Sequence, residues 1–132
     1  MTDRQLLDIA NEVMANSYSP YSRFKVGAAL ECTDGTVYTG CNIENAAFGA
    51  TMCAEASAVA AAVSAGKRSF KRIAITSEGN TYCFPCGTCR QRLSEFSPEM
   101  EVLCSRADTR YVSYPLTTLL PLSYGKEHLG TP

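Results

Sequence analysis

Apolar residues recur with helical spacing near the start of the chain. One face of the first segment carries an apolar series formed by Leu6, Ile9, Ala10, Val13 and Met14. Thr2 and Gln5 precede it with the spacing of a capping box. The pattern therefore predicts a helix over residues 3–16, followed by a turn-rich loop at residues 18–23.

Shorter apolar segments further along the chain have the length of strands. Residues 25–32 and 37–42 are joined by T-D-G-T, and Asp34-Gly35 between apolar runs is a hairpin signal. Residues 43–52 are predicted to form a loop. More strands are predicted at residues 72–77, 101–105 and 110–114.

The middle of the chain predicts two further helices. Residues 52–65 consist almost entirely of Ala, Val, Ser and Glu and precede Gly66, which is typical of a buried helix with a glycine after its end. Residues 87–96 form an amphipathic pattern that stops before Pro98, and a helical turn at 117–120 precedes a polar tail. The order αββαβαββ predicts one α/β domain over residues 1–132, with helices on the faces of a mixed sheet.

Composition narrows the range of functions. The chain has 12 Lys+Arg against 13 Asp+Glu, a balance that does not favour a nucleic-acid-binding protein. One modest basic patch, expected to be solvated, is formed by Lys67, Arg68, Lys71 and Arg72. The N-terminus has no signal-peptide pattern, and no apolar run approaches the ~20 residues of a membrane span. We therefore expect a cytoplasmic protein that binds neither nucleic acid nor membrane.

Three of the 7 cysteines recur at every third position, as Cys83, Cys86 and Cys89. Cys86 and Cys89 form a C-x-x-C motif at the start of a predicted helix, where the helix N-terminus stabilises thiolates. This motif fits a metal site or a redox dithiol. Cys83 lies outside the helix, and as a ligand it would complete a closed structural site of four thiolates.

A second cysteine-containing helix start favours a catalytic metal. Cys53 precedes a predicted buried helix, and Glu55 follows two residues later. Burying an acidic side chain there costs free energy, which indicates that Glu55 has a functional role. Cys53, Cys86 and Cys89 on one Zn²⁺ would leave a position for water, with Glu55 in reach of that water's proton. We expect Cys83 to be a bystander, and the remaining cysteines to be buried small hydrophobic residues: Cys32, Cys41 and Cys104.

The motifs C-A-E at 53–55 and P-C-G-T-C-R-Q at 85–91 match the pattern of zinc-dependent base deaminases. Along nearly its whole length, the sequence resembles the small homotetrameric cytidine deaminases. Further matching segments are Y-S-P-Y-S-R-F-K-V-G-A-A-L at 18–30, G-C-N-I-E-N-A-A-F at 40–48 and L-L-P-L-S-Y-G at 119–125. The resemblance implies a three-layer α/β/α sandwich with a mixed five-stranded sheet, and a homotetramer.

The resemblance also implies roles for individual residues. Phe24 would pack against the pyrimidine ring, and Asn42 and Glu44 would bind the ribose hydroxyls. The backbone around Ala54 would bind the base edge, and Tyr124 would reach into a neighbouring subunit's site. One zinc-activated water per subunit would deaminate cytidine or deoxycytidine in pyrimidine salvage, with Glu55 as the proton shuttle.

The chain departs from the family at one position. Many three-cysteine cytidine deaminases carry arginine after the catalytic glutamate, where it offsets the charge of the thiolates, but this chain has Ala56. Arg90 and the two helix N-termini are candidates for that compensation. The missing arginine is shared with blasticidin S deaminases and is compatible with tolerance of modified cytidines.

Alternatives to a cytidine deaminase stay open at this point. They are a blasticidin S-type deaminase, a binding module with structural zinc, a deaminase of nucleic acids and a thiol oxidoreductase. Asn42, Glu44 and Phe24 favour cytidine over blasticidin S, and a structural zinc site would give Glu55 no task.

Overall fold

The computed structural model describes residues 1–130 and contains every predicted helix and strand. The helices are α1 (Asp3–Met14), α2 (Ala54–Ser64), α3 (Gly87–Phe96) and α4 (Leu116–Leu119). The strands are β1 (Val26–Cys32), β2 (Val37–Cys41), β3 (Phe70–Ser77), β4 (Glu101–Ser105) and β5 (Tyr111–Pro115). Two 3-10 turns, Phe48–Ala50 and Lys126–Leu129, lie in segments that were predicted to be loop and polar tail.

The five strands form one mixed sheet in the order β2-β1-β3-β4-β5. The β3–β4 pair is parallel, and the three other pairs are antiparallel. The β1–β2 hairpin turns at Gly35, whose φ of 90° favours glycine. The predicted mixed sheet is confirmed.

Alternate residues of the central strands lie on opposite faces of the sheet and belong to two separate cores. Ala29, Ala74 and Leu103 pack with buried residues of α1 on one face of the sheet. The opposite face, which includes Leu30, Ile73 and Val102, packs against residues of α2 and α3, including Leu93 of α3. Helices therefore cover both faces, and the expected three-layer α/β/α sandwich is confirmed.

Two glycines permit the helices to approach the sheet closely. A Cβ at Gly27 would lie 2.1 Å from the backbone oxygen of Ala10 in α1. On the opposite face, a Cβ at Gly40 would lie 2.4 Å from the backbone nitrogen of Ala58 and 2.5 Å from the backbone oxygen of Ala54, both in α2. The absence of a side chain at Gly40 thus fixes how deeply the first turns of α2 sit on the sheet.

The expected solvated basic patch is wrong for Arg72. Its Nε lies 2.6 Å from Glu31 Oε1, its Nη1 lies 2.5 Å from Asp3 Oδ1, and its side chain is only 12% exposed. Arg72 therefore joins β3 to β1 and α1 instead of facing solvent. Between residues 1 and 130, no helix has the length and apolar character needed to cross a membrane.

Candidate metal and catalytic site

The first turns of α2 and α3 bring three cysteines together. Cys53 is the N-cap of α2, Cys86 is the N-cap of α3, and Cys89 lies in the first turn of α3. The helix α2 starts two residues later than predicted because Cys53 has extended backbone angles, with φ −70° and ψ 156°. The cysteines therefore sit at two helix N-termini, where the helix dipole stabilises negative charge.

The three sulfur atoms are arranged as one metal site. They all lie within 4.8 Å of one another, and Cys53 Sγ lies 3.9 Å from Cys86 Sγ. Zinc binds sulfur at about 2.3 Å in tetrahedral geometry, which places two sulfur ligands about 3.8 Å apart. The residues present thus fit Zn²⁺, and three protein ligands is the number found in catalytic zinc sites.

Access to the cluster is one-sided. Cys89 is buried, Cys53 is half-buried and Cys86 is exposed. Solvent or a small molecule can therefore approach from the side of Cys86, while the core closes the opposite side.

Mutual hydrogen bonding favours a thiolate in the cluster. The pKa of Cys53 is lowered to about 6, first by a hydrogen bond with Cys89 and also by Cys86 and the positive charge of Arg92. The same hydrogen bond raises the pKa of Cys89. Cys53 therefore loses its proton more readily than Cys89, and thiolates are the form in which cysteines bind zinc.

Cys83 does not belong to the sulfur cluster. Its backbone N–H donates to Ser105 O at 3.0 Å, and its half-buried side chain packs against the core on the α2 and α3 side. Burial raises the pKa of its thiol to about 11. Cys83 is thus held as a neutral thiol, and the four-sulfur arrangement is not found among residues 1–130.

Glu55 lies beside the cluster and is almost completely buried, with 5% of its surface exposed. The pKa of Glu55 is raised to about 7, chiefly by burial and also by the negative charge of Cys53, whereas a hydrogen bond from its own backbone N–H and the positive charge of Arg92 oppose the shift. A carboxyl group with such a pKa can both accept and release a proton near neutral pH.

Arginine near the cluster is placed differently from the expectation. Arg90 donates from Nε to Pro85 O and from Nη1 to Leu119 O, each at 2.8 Å, so it ties the turn before α3 to α4. Arg92 is the residue that sequence reasoning missed, and its Nη1 lies 3.6 Å from Cys89 Sγ. The available signal was its position three residues after Cys89 in a helix.

Asn42 is buried and holds the loop that leads into β1. Its Nδ2 donates to Phe24 O at 2.8 Å, and its Oδ1 accepts from Val26 N at 2.9 Å and from the Ser17 hydroxyl. Because the amide can make four hydrogen bonds, one N–H remains for another partner.

Glu44 holds the turn before Phe24. Its Oε1 accepts from the backbone N–H groups of Tyr21 and Ser22 at 2.9 and 3.0 Å, and its Oε2 accepts from the Ser22 hydroxyl. The hydrogen bonds from Ser22 lower the pKa of Glu44, which keeps it ionised. Three of about four acceptor positions on the carboxylate are occupied.

The other predicted substrate contacts differ in exposure. Phe24 is 40% exposed, and its ring faces Gly79 in the loop after β3. Ala54 is fully buried as the first residue of α2. Tyr124 is 56% exposed and stacks on His128 with the ring centroids 4.9 Å apart.

Comparison with known proteins finds a matching family and relatives that cover nearly the whole chain. The family profile described as "Cytidine and deoxycytidylate deaminase zinc-binding region" matches residues 1–105. A cytidine deaminase from Sporosarcina psychrophila is 41% identical over 131 residues, which cover 98% of this chain and 96% of the relative. A probable cytidine deaminase from Dictyostelium discoideum is 39% identical over 93% of this chain and 84% of the relative.

The fold also matches a solved structure. The crystal structure of cytidine deaminase from Burkholderia pseudomallei superimposes with a TM-score of 0.91 at 39% identity, covering 94% of this chain and all of the other. Sequence, fold and the three-cysteine site thus agree, and the chain belongs to the family of cytidine and deoxycytidylate deaminases that share this zinc-binding region.

Proposed function

We propose that this protein deaminates cytidine and deoxycytidine by hydrolysis, giving uridine or deoxyuridine and ammonia, as a cytoplasmic enzyme of pyrimidine salvage. The observation that carries the proposal is the buried carboxyl group of Glu55 beside an open cluster of three cysteines. Relatives that match almost the whole chain are named cytidine deaminases, which supports the choice of substrate.

Cys53, Cys86 and Cys89 would hold the metal. When bound there, zinc supplies a Lewis acid that makes water more acidic and so more reactive at neutral pH. The thiolate character of Cys53 and the two helix N-termini suit these residues to that task.

Glu55 moves the protons of the reaction. It accepts a proton from the attacking water and passes it to N3 of the pyrimidine, which makes C4 more electrophilic. The water oxygen bonds to C4, and Glu55 delivers the second water proton to the amino group. The C4–N4 bond then breaks, and ammonia leaves. One group can do both tasks because burial brings the pKa of Glu55 to about 7.

Asn42 and Glu44 would recognise the ribose with the hydrogen-bonding capacity they have left. Asn42 offers one N–H donor and Glu44 one acceptor, and a ribose hydroxyl can both donate and accept. Because the same side chains hold the loop around Phe24, they also place that aromatic ring for contact with a flat base. The N–H of Ala54, in the first turn of α2, lacks a partner within the helix and suits an acceptor on the base edge.

We propose a homotetramer in which Tyr124 contributes to a neighbouring subunit's site. Several large apolar side chains near the C-terminus are exposed in the single chain, among them Leu122, Tyr124 and Leu129. A partner subunit would cover these exposed apolar side chains.

Ultraviolet monitoring of purified protein with cytidine tests the function. We expect the conversion to uridine to stop on treatment with a chelator and to return on addition of Zn²⁺. Protein that holds zinc but does not convert cytidine or deoxycytidine would contradict the proposal and leave a structural-zinc module as the better interpretation. Turnover of blasticidin S in place of cytidine would favour the related deaminase class.

A further inference from the structure

Arg92 and Ala56 have the same spacing from a cysteine of the cluster, although Arg92 is the sixth residue of α3 and Ala56 the third residue of α2. Arg92 lies three residues after Cys89 in α3, and Ala56 lies three residues after Cys53 in α2. Side chains on a helix lean towards its N-terminus, so a long residue at either position can reach back to the preceding cysteine.

The two helices use that position differently. In α3, the Nη1 of Arg92 lies 3.6 Å from Cys89 Sγ, within hydrogen-bond reach of a sulfur acceptor. In α2, Ala56 is only 8% exposed and has no polar atom in its side chain. Arg90 is not a substitute, because its guanidinium donates to the carbonyl oxygens of Pro85 and Leu119.

Charge explains why one cation at this point matters. Three thiolates around one Zn²⁺ carry a net charge of about −1, which makes a bound water less acidic than it would be at a neutral centre. A guanidinium that donates to a ligand sulfur offsets part of that charge and fixes the orientation of the ligand.

We propose that Arg92 is a positioning residue of the metal site. From α3, its guanidinium places a positive charge beside a ligand sulfur, and Ala56 leaves α2 without such a charge. The inference rests on the zinc site of the proposed function and is independent of which nucleoside is the substrate. Arg92 acts through Cys89 and does not itself contact the substrate in the reaction proposed above.

Zinc affinity measures this role directly. Arg92→Gln, equilibrated with a chelator of known zinc affinity, is expected to bind zinc about tenfold more weakly than wild type, the lower end of the usual effect of losing a partner of a metal ligand. Arg92→Lys keeps the charge and is expected to recover part of the loss. The double variant Ala56→Arg with Arg92→Gln moves the guanidinium to the position three residues after Cys53 in α2 and is expected to recover more.

A matched arginine controls for net charge. Arg68 donates to the carbonyl oxygens of Val63 and Lys67, so Arg68→Gln makes the same charge change without touching a cysteine. Equal zinc affinity in Arg92→Gln and Arg68→Gln would overturn the proposal.

Thermal unfolding of the zinc-free proteins separates metal positioning from general stability. We expect Arg92→Gln to lower the Tm of the zinc-loaded protein more than the Tm of the zinc-free protein. An equal loss of Tm in both forms would mean that Arg92 only stabilises α3. Neither measurement uses cytidine, so failure of the proposal is distinguishable from failure of the proposed activity.

Discussion

The Sγ atoms of Cys53 and Cys86 lie 3.9 Å apart, although the two cysteines are 33 positions apart along the chain. Each cysteine is the N-cap of its own helix, and both helices pack on the same face of the sheet. The distance between the two sulfur atoms is therefore set by how α2 and α3 pack on that face of the sheet. The geometry of the sulfur cluster thus depends on the packing of the fold.

Glu55→Gln is expected to keep zinc and lose activity. Glutamine fills the same buried volume but cannot carry protons between water and the pyrimidine. We expect kcat for cytidine to fall by at least about 10³-fold, near the contribution of a positioned acid–base group. Zinc content per chain and kcat are the two measurements, and Glu95→Gln, an exposed change on α3, is the control. Substantial activity in Glu55→Gln would mean that another group moves the protons.

Cys89→Ser and Cys83→Ser are expected to differ in metal content. Cys89 belongs to the sulfur cluster and Cys83 does not, so the first variant should lose zinc and the second should keep it. We expect about one zinc per chain in Cys83→Ser and much less in Cys89→Ser, by elemental analysis after dialysis against a chelator. Zinc loss in Cys83→Ser would contradict the assignment of Cys83 as a neutral thiol outside the site.

The sequence predicted the elements well because each has a strong local pattern. The capping box of Thr2 and Gln5 is present in the structure, and the segments 87–96 and 101–105 have their predicted bounds. The sequence predicts the start of α2 too early because cysteine is not a typical capping residue. Only the backbone angles of Cys53 mark the boundary. The order of the strands depends on pairing between distant segments, so no local pattern specified it, and the family resemblance implied only a mixed five-stranded sheet.

The site was predicted less completely than the fold. The motifs identified the three cysteines and Glu55, since metal ligands must have particular side chains at particular spacings. The choice between Arg90 and Arg92 depends on which side of α3 faces the cysteines, a rotation of about 200° that the motif does not specify. Likewise, no sequence pattern indicates that Asn42 and Glu44 make most of their hydrogen bonds to the loop around Phe24.

Glu44→Gln is expected to raise KM more than it lowers kcat. An amide accepts only at its oxygen. The variant therefore loses either the two backbone hydrogen bonds from Tyr21 and Ser22, or the hydrogen bond from the Ser22 hydroxyl together with the acceptor left for the ribose. We expect KM for cytidine to rise about tenfold, the equivalent of about 1.4 kcal/mol, and kcat to change less. An unchanged KM would mean that Glu44 stabilises the loop but does not bind the substrate.

Asp34→Asn is expected to reduce stability at neutral pH but not in acid. The hydrogen bond and ion pair with Lys67, at 2.8 Å, hold the pKa of Asp34 below its ordinary value of 3.8. A lowered pKa means that the stabilisation is complete well above pH 3.8 and is lost as the pH falls towards the folded-state pKa. The difference in Tm between wild type and Asp34→Asn should therefore be small and constant from pH 6 to 7.5, and should shrink below about pH 4. A difference that grows in acid would contradict the assignment.

Gly40→Ala is expected to disturb the metal site from a distance. The new Cβ would lie 2.4 Å from Ala58 N and 2.5 Å from Ala54 O, both backbone atoms, so α2 must move away from the sheet. We expect a loss of about 3 kcal/mol in the free energy of unfolding, at the upper end of overpacking effects, and weaker zinc binding because Cys53 moves with α2. Gly49→Ala is the matched control, since a Cβ there meets nothing within 4 Å. Denaturant unfolding with and without a chelator checks both effects. If Gly40→Ala lost stability equally in both conditions, the position of α2 would not govern the geometry of the three cysteines.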